Sequence, residues 1–246
     1  MNMLNSLRNN FNIDDYQRIV GKKTNIHKVS YFFKEDLKNL SNKRILFLDF
    51  EFSMNKIIIE VGGLVLENRK VVELIFDEYS LPPGEPYWDF DVDGFIDGRK
   101  LNKNKPLFSD KDQDKLFKLV QSVDYVVVHN YVAEAQCFLK LKTPYEKYNI
   151  SNCDVFTQGK FICTSYSFKN KYFKSLGMTI FTNSGVSECF GWKIKDKESY
   201  LLVKNKSLNI AFKIDKPKGI KSSLHNSFYD SVVTLTNFMS FGKIIK

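Results

Sequence analysis

Three closely spaced apolar runs dominate the first half of the chain. They cover residues 44–52, 56–66 and 71–79, and each is rich in β-branched or aromatic side chains and bounded by turn residues. Runs of this kind predict three consecutive β-strands. Residues 81–106, which follow, are rich in proline, glycine and acidic residues, and this composition predicts a long loop.

The pattern changes to a helical period after this loop. Ser109 and Asp112 form an S-x-x-D capping signal, and the apolar positions that follow continue a helix. Residues 125–128 predict a short buried strand, residues 134–141 a helix, and residues 227–241 a final helix.

Two further segments complete the pattern of elements. Residues 161–166 fit either a strand or the start of a helix, and the alternation over residues 199–214 predicts a β-hairpin that turns around Lys204, Asn205 and Lys206. Strands followed by alternating helices and strands predict an α/β fold with a central mixed β-sheet flanked by helices.

The sequence consists of a short N-terminal extension and one long domain. Residues 1–42 are polar and basic with one short amphipathic stretch, and we expect a helical extension there. Residues 43–246 suffice for one large domain, with the hairpin as an insertion near residues 195–220.

Composition narrows the classes of partner and compartment. The 37 lysines and arginines exceed the 28 acidic residues, and the net charge of +9 favours a polyanionic partner, although a lysine-rich proteome gives the same excess. The four cysteines have no C-x-x-C spacing, which indicates free thiols in a reducing compartment. No secretory signal or membrane-length apolar run is present, so we expect a soluble cytoplasmic protein without a membrane partner.

Two acids interrupt the first apolar run. Asp49 and Glu51 are two residues apart, so on a strand their side chains point to the same face. Two buried like charges are costly unless a cation joins them, and hard oxygen ligands suit Mg²⁺ or Mn²⁺. An edge strand with acids facing solvent would show the same pattern.

Further titratable residues occur at two later positions. His129 and Asn130 close the fourth predicted strand, with Glu134 four residues after Asn130, near a helix start. His225 precedes Asp230 by five residues, so the two do not share a helical face, and we place His225 in the approach to the last helix. Considered alone, Glu134 and Asp230 fit ordinary helix positions better than a functional site, and His225 fits a surface loop.

The ordered combination resembles the DEDD exonuclease superfamily, and more closely its histidine subclass, the DnaQ-like nucleases. The resemblance covers roughly residues 43–241 and is carried by the strand-borne D-x-E, the strand-ending H-N with an acid four residues later, and the late H-x₄-D. The chain departs from the pattern at Glu134, where most of the family has aspartate and a subset has glutamate. The region 191–221 is also longer than the family minimum.

The resemblance implies a ribonuclease H-like fold and a two-metal 3′-5′ exonuclease that releases nucleoside 5′-monophosphates. It implies two Mg²⁺ or Mn²⁺ ions held by Asp49, Glu51, Glu134 and Asp230, with His225 as the general base. His129 and Asn130 are expected to shape the wall of the site. Nucleic acid with a free 3′ end is the implied partner, and a polymerase or another replication or repair protein is compatible with the pattern.

Other functions stay open at this level. A non-catalytic module of the same fold that binds nucleic acid or a polymerase is one alternative; loss of Asp49 or His225 would favour it, whereas all five chemical positions are filled. An endonuclease could use the same residues, and a basic interaction protein could carry them by coincidence. The choice between DNA and RNA rests on contacts to the 2′-hydroxyl that the sequence does not locate.

Overall fold

The computed structural model describes residues 42–53, 55–85, 104–148, 160–165, 182–220 and 226–244. These residues form a five-stranded mixed sheet with helices on both faces and a second, three-stranded antiparallel sheet. The predicted α/β class, with a central mixed sheet flanked by helices, is therefore confirmed.

The large sheet places the first predicted strand at its centre. Its strands are β1 (Arg44–Phe52), β2 (Ile58–Glu67), β3 (Lys70–Glu78), β4 (Tyr125–Val128) and β5 (Phe161–Cys163). Their order is β3-β2-β1-β4-β5, with β2 antiparallel to both of its neighbours and β4 and β5 parallel to β1. Central strands are buried on both faces, which explains the uninterrupted apolar run from Ile45 to Leu48 in β1.

Five helices lie among the described residues. They are α1 (Asp110–Gln121), α2 (Tyr131–Leu139), α3 (Thr143–Tyr148), α4 (Asn183–Cys189) and α5 (Ser227–Ile244). The predicted capping box at the start of α1 is present, because the Asp112 amide donates to the Ser109 hydroxyl and the Ser109 amide to the Asp112 carboxylate. Helix α2 begins three residues earlier than predicted, which places Glu134 in its first turn.

The second sheet contains the predicted hairpin and one additional strand. Its strands are β6 (Trp192–Asp196), β7 (Tyr200–Asn205) and β8 (Ile210–Asp215), in the order β6-β7-β8. The turn was predicted around Lys204–Lys206 but lies at residues 206–209. Lys204 and Asn205 still pair with β8, and the Asn205 side chain closes the turn by accepting from the Leu208 amide at 3.0 Å.

Strand β1 separates two hydrophobic cores. Leu46, Leu48 and Phe50 face the core that includes α1 and α2, and Phe52 packs against its edge. Ile45 and Phe47 face the opposite core, which α4, α5 and the inner face of the small sheet complete. The small sheet is therefore a further layer outside α5.

Helix α5 approaches strand β2 closely at Gly62. A Cβ atom there would overlap the backbone of Ser227 and Phe228 in the first turn of α5. The absence of a side chain at Gly62 thus sets how near the start of α5 can come to the large sheet.

Some predicted features lie outside the described residues. They are the helical extension, except for Asn42, most of the loop over residues 81–106, and His225. Within the described ranges, no helix is long and apolar enough to cross a membrane.

We predict that Gly62→Ala destabilises the protein by about 1–3 kcal/mol or more, because the added methyl group forces α5 away from β2. Urea unfolding measures the change. Val72→Ala, at a site on β3 that is 51% exposed, is the control and should change stability by less than about 0.5 kcal/mol. A Gly62→Ala protein as stable as this control would contradict the close approach.

Candidate metal centre

The carboxylates of Asp49 and Glu51 extend from the face of β1 that Ile45 and Phe47 cover earlier in the strand. The alternation of β1 dictates this arrangement, because Asp49 and Glu51 continue the odd-numbered positions. The apolar half of the strand is buried in the core, and the acidic half extends to where α5 begins. Both acids are half-buried.

Asp230 completes a three-carboxylate cluster from α5. One oxygen each of Asp49, Glu51 and Asp230 lie within 4.8 Å of one another. Asp230 is in the first turn of α5, where the positive end of the helix dipole also favours an acid. Glu51 on a strand and Asp230 on a helix, 179 positions apart in the sequence, thus contribute to one site.

Glu134 lies beside this cluster, at the start of α2. Its side chain is 2% exposed, and its Oε2 atom has no hydrogen-bond partner among the described residues. A buried carboxylate oxygen without a donor is costly unless a cation meets it. Lys56, in the loop between β1 and β2, supplies one positive charge near Glu134.

The electrostatics of the site disfavour four negative charges. Burial raises the pKa of Asp49 well above its usual value, and the charges of Asp230, Glu134, Glu51 and Glu60 raise it further. Burial is also the main cause that raises the pKa of Glu134 to about 8, with Glu51 adding to the effect. Protons or a divalent cation can offset this repulsion, and oxygen donors are the ligands that hard divalent cations prefer.

The start of α5 is fixed by Glu60, which the sequence analysis did not identify. Glu60 lies opposite Glu51 in the β1–β2 pair and is 6% exposed. Its Oε1 atom accepts a hydrogen bond from the Ser227 amide at 2.5 Å and another from the Ser227 hydroxyl at 2.8 Å. A charged acceptor at a helix N-terminus stabilises the free amides there. Glu60 therefore holds the helix that carries Asp230 against the strand that pairs with β1.

Two asparagines complete the support of α5. The Asn226 side chain accepts from the Tyr229 amide at 2.7 Å, as an N-cap residue does. The Asn183 side chain of α4 donates to the Asp230 carbonyl at 2.8 Å and to the Thr234 hydroxyl at 3.0 Å. An asparagine just before an apolar helix is a recognisable capping signal, whereas nothing in the sequence indicates the partners of Asn183.

The histidine positions differ in what the structure describes. His129 is 6% exposed, and its Nδ1 lies 2.8 Å from the Thr164 hydroxyl after β5, so it links the ends of two parallel strands. His225 is outside the described residues, and its role as general base stays a prediction. The structure therefore brings together Asp49, Glu51 and Asp230, with Glu134 alongside.

We predict that Glu134 makes metal-free stability pH-dependent. The folded-state pKa of about 8 exceeds the ordinary 4.5, so the native state binds more protons between these values and stability falls as the pH rises through that window. Glu134→Gln should flatten this part of the profile, measured by urea unfolding in EDTA from about pH 5 to about pH 8. Glu146→Gln, at an exposed position of α3, should keep the original slope, and equal slopes in all three proteins would contradict the prediction.

We also predict that excess Mn²⁺ stabilises the folded protein. At 100 times the dissociation constant the gain is about 2.7 kcal/mol, because the ion binds the native cluster and not the unfolded chain. Asp49→Asn should abolish the rise in Tm measured by scanning calorimetry, whereas Asp110→Asn, at the exposed start of α1, should retain it. The same rise in both variants would place the ion elsewhere.

The described residues thus contain an acidic cluster with the donor chemistry of a divalent-cation site. No protein-family model, curated protein or solved structure matches the chain.

Proposed function

We propose that the protein is a metal-dependent 3′-5′ exonuclease of the DEDD type, in its histidine subclass. The observation that carries the proposal is the meeting of Asp49, Glu51 and Asp230 within 4.8 Å, with buried Glu134 beside them. These four acids are the residues that the sequence resemblance pairs with metal binding. A mixed sheet with helices on both faces is compatible with the implied ribonuclease H-like fold.

Three of the four carboxylates form one cluster, and the fourth approaches it from a different helix. Asp49, Glu51 and Asp230 form the compact, half-buried group, and Glu134 approaches from the first turn of α2. We propose that they hold Mg²⁺ or Mn²⁺, with two ions as the resemblance implies. When bound, such ions stabilise both the attacking and the leaving oxygen of a phosphodiester displacement.

The chain's own residues supply orientation and proton transfer in this proposal. Glu60 and Asn226 fix the start of α5, so that Asp230 keeps its position against β1. His225 takes the proton of the attacking water, a task that suits an imidazole with a near-neutral pKa. A free 3′ end enters the site, and a nucleoside 5′-monophosphate leaves.

Lys56 supplies a positive charge beside the carboxylates in this proposal. Its ammonium group interacts with the Glu134 carboxylate and lies 4.0 Å from the centre of the Phe52 ring. Its position between β1 and β2 holds a positive charge next to the acids when no substrate is bound. This arrangement suits a site that receives a phosphate group.

We predict that the protein shortens 5′-labelled single strands from the 3′ end when Mg²⁺ or Mn²⁺ is present. Matched DNA and RNA strands reveal the preferred sugar. Asp49→Asn should lower the rate by more than about 100-fold, because losing even an outer-shell partner of a metal ligand costs 10–100-fold. Asp110→Asn, on the exposed surface of α1, should cleave at the original rate.

A circular single strand separates the exonuclease from an endonuclease, because it has no 3′ end. Its cleavage would refute the exonuclease proposal in favour of internal cutting. If neither linear nor circular strands are cleaved with either metal, the proposal of an enzyme is refuted, and a non-catalytic binding module of the same fold is left. Loss of activity in His225→Ala, with the Mn²⁺-dependent rise in Tm retained, would support the proposed general base.

A further inference from the structure

Four lysines share the outer face of the small sheet. Lys193 and Lys195 lie on β6, Lys204 on β7 and Lys213 on β8, and all four are exposed. Their strand neighbours point inward, toward the core around α5. We call these four residues the lysine face.

The lysine face places like charges side by side. Lys193 is directly opposite Lys204 in the β6–β7 pair, and Lys195 and Lys213 lie on either side of Leu202. Like charges opposite each other on a sheet are destabilising. Stability of the isolated domain therefore does not account for this arrangement, whereas an anionic ligand would.

These lysines also differ from several others in the described ranges. Five lysines elsewhere form ion pairs with acids through their ammonium groups: Lys43, Lys105, Lys115, Lys118 and Lys147. None of the four lysines of the lysine face forms an ion pair with a described residue. Of the outward positions on the three strands, Asp215 is the one acid. Residues 192–220 contain eight lysines and three acids, so much of the chain's net charge of +9 is in this segment.

An aromatic ring belongs to the same surface. Tyr200 shares the outer face of β7 with Lys204, and the Lys213 ammonium lies 4.7 Å from the centre of its ring. Cations interleaved with an aromatic side chain on a sheet are the elements that bind single-stranded nucleic acid, through phosphate contacts and base stacking.

Strand β6 connects this surface to the carboxylate cluster. At its start, the Trp192 indole donates to the Ser240 hydroxyl at 2.7 Å, near the end of α5. Toward its end, Lys195 lines the same groove as Tyr229 of α5. Strand β6 thus runs back along α5 toward the residue that precedes Asp230.

A groove follows the same line. It has a volume of about 520 Å³ and is lined by residues of α4, β6 and α5, among them Lys193, Lys195 and Tyr229. A five-residue strand spans on the order of 15 Å. The two lysines of β6 therefore border a groove that also contains Tyr229, the residue before Asp230. From this groove the lysine face continues across the small sheet over a distance of several nucleotides.

We propose that the lysine face binds the single-stranded nucleic acid that lies upstream of the 3′ end held at the carboxylate cluster. The lysines contact phosphates, and Tyr200 offers its ring to a base. This inference rests on the proposed function for the identity of the strand's end. Its physical basis is the positive charge that no acid among the described residues neutralises, together with the direction of β6.

The first test measures binding without cleavage. A 5′-labelled 20-nucleotide single strand is titrated in EDTA by fluorescence anisotropy over a range of salt concentrations. For K193Q/K204Q we expect the slope of log K against log salt to fall by about 1.4, since two phosphate contacts are lost. The dissociation constant at about 0.1 M salt should then rise roughly 25-fold.

The control is K70Q/K111Q, which removes two exposed lysines from β3 and α1. It should bind as the unmodified protein does. The Tm of K193Q/K204Q should not fall, because the substitution removes a like-charge pair. Unchanged binding by K193Q/K204Q, or equal weakening by the control, would overturn the inference and leave the face to another partner, such as an acidic protein.

The second test separates this inference from the proposed function. With Mn²⁺, K193Q/K204Q should lose at least tenfold in kcat/KM on the 20-nucleotide strand and keep its rate on the p-nitrophenyl ester of thymidine 5′-monophosphate, which is too small to reach the face. Equal rates of both proteins on the long strand would overturn the inference alone. If the unmodified protein hydrolyses neither substrate, the proposed function fails, and the binding titration still decides the role of the face.

Discussion

Repulsion among carboxylates at the junction of β1, β2, α2 and α5 is the constraint on which the rest of the structure depends. Burial and four neighbouring acids raise the pKa of Asp49, so the fold maintains an arrangement that its own charges oppose. The opposing stabilisation comes from the apolar residues of β1, which are buried in two cores. A cation bound at the cluster would replace the repulsion among the carboxylates with attraction, and this attraction would contribute to the free energy of binding.

The packing of helix α5 in the core fixes the position of Asp230 at the site. The middle and end of the helix pack into the core through Val232, Leu235 and Phe238, while its first turn presents Asp230 to β1. Gly62 permits the close approach, and Glu60 satisfies the amide of Ser227. The position of one metal ligand is thus fixed by packing along a whole helix, which is how a site on rigid elements keeps its geometry.

The acids of the cluster and the lysines of the lysine face are concentrated in two separate regions of the described residues. The acids are gathered and half-buried at one end of α5, whereas the lysines are spread over the exposed outer face of the small sheet. A polyanion is attracted by the second surface and repelled by the first unless cations are bound there. Under the proposed function, this arrangement would make productive binding of the 3′ end depend on the metal, while the upstream strand binds without it.

Local sequence patterns predicted most of the strands, three of the five described helices and the identities of the acids. Alternation in β1 put Asp49 and Glu51 on one face, the S-x-x-D signal placed the start of α1, and apolar spacing placed α5, because each depends on neighbours within a few residues. Only the tertiary structure brought Asp230 within 4.8 Å of the β1 acids and assigned Glu60 to Ser227. Those contacts join residues far apart in the chain, and they follow from the packing of α5 against β2, which no local period encodes.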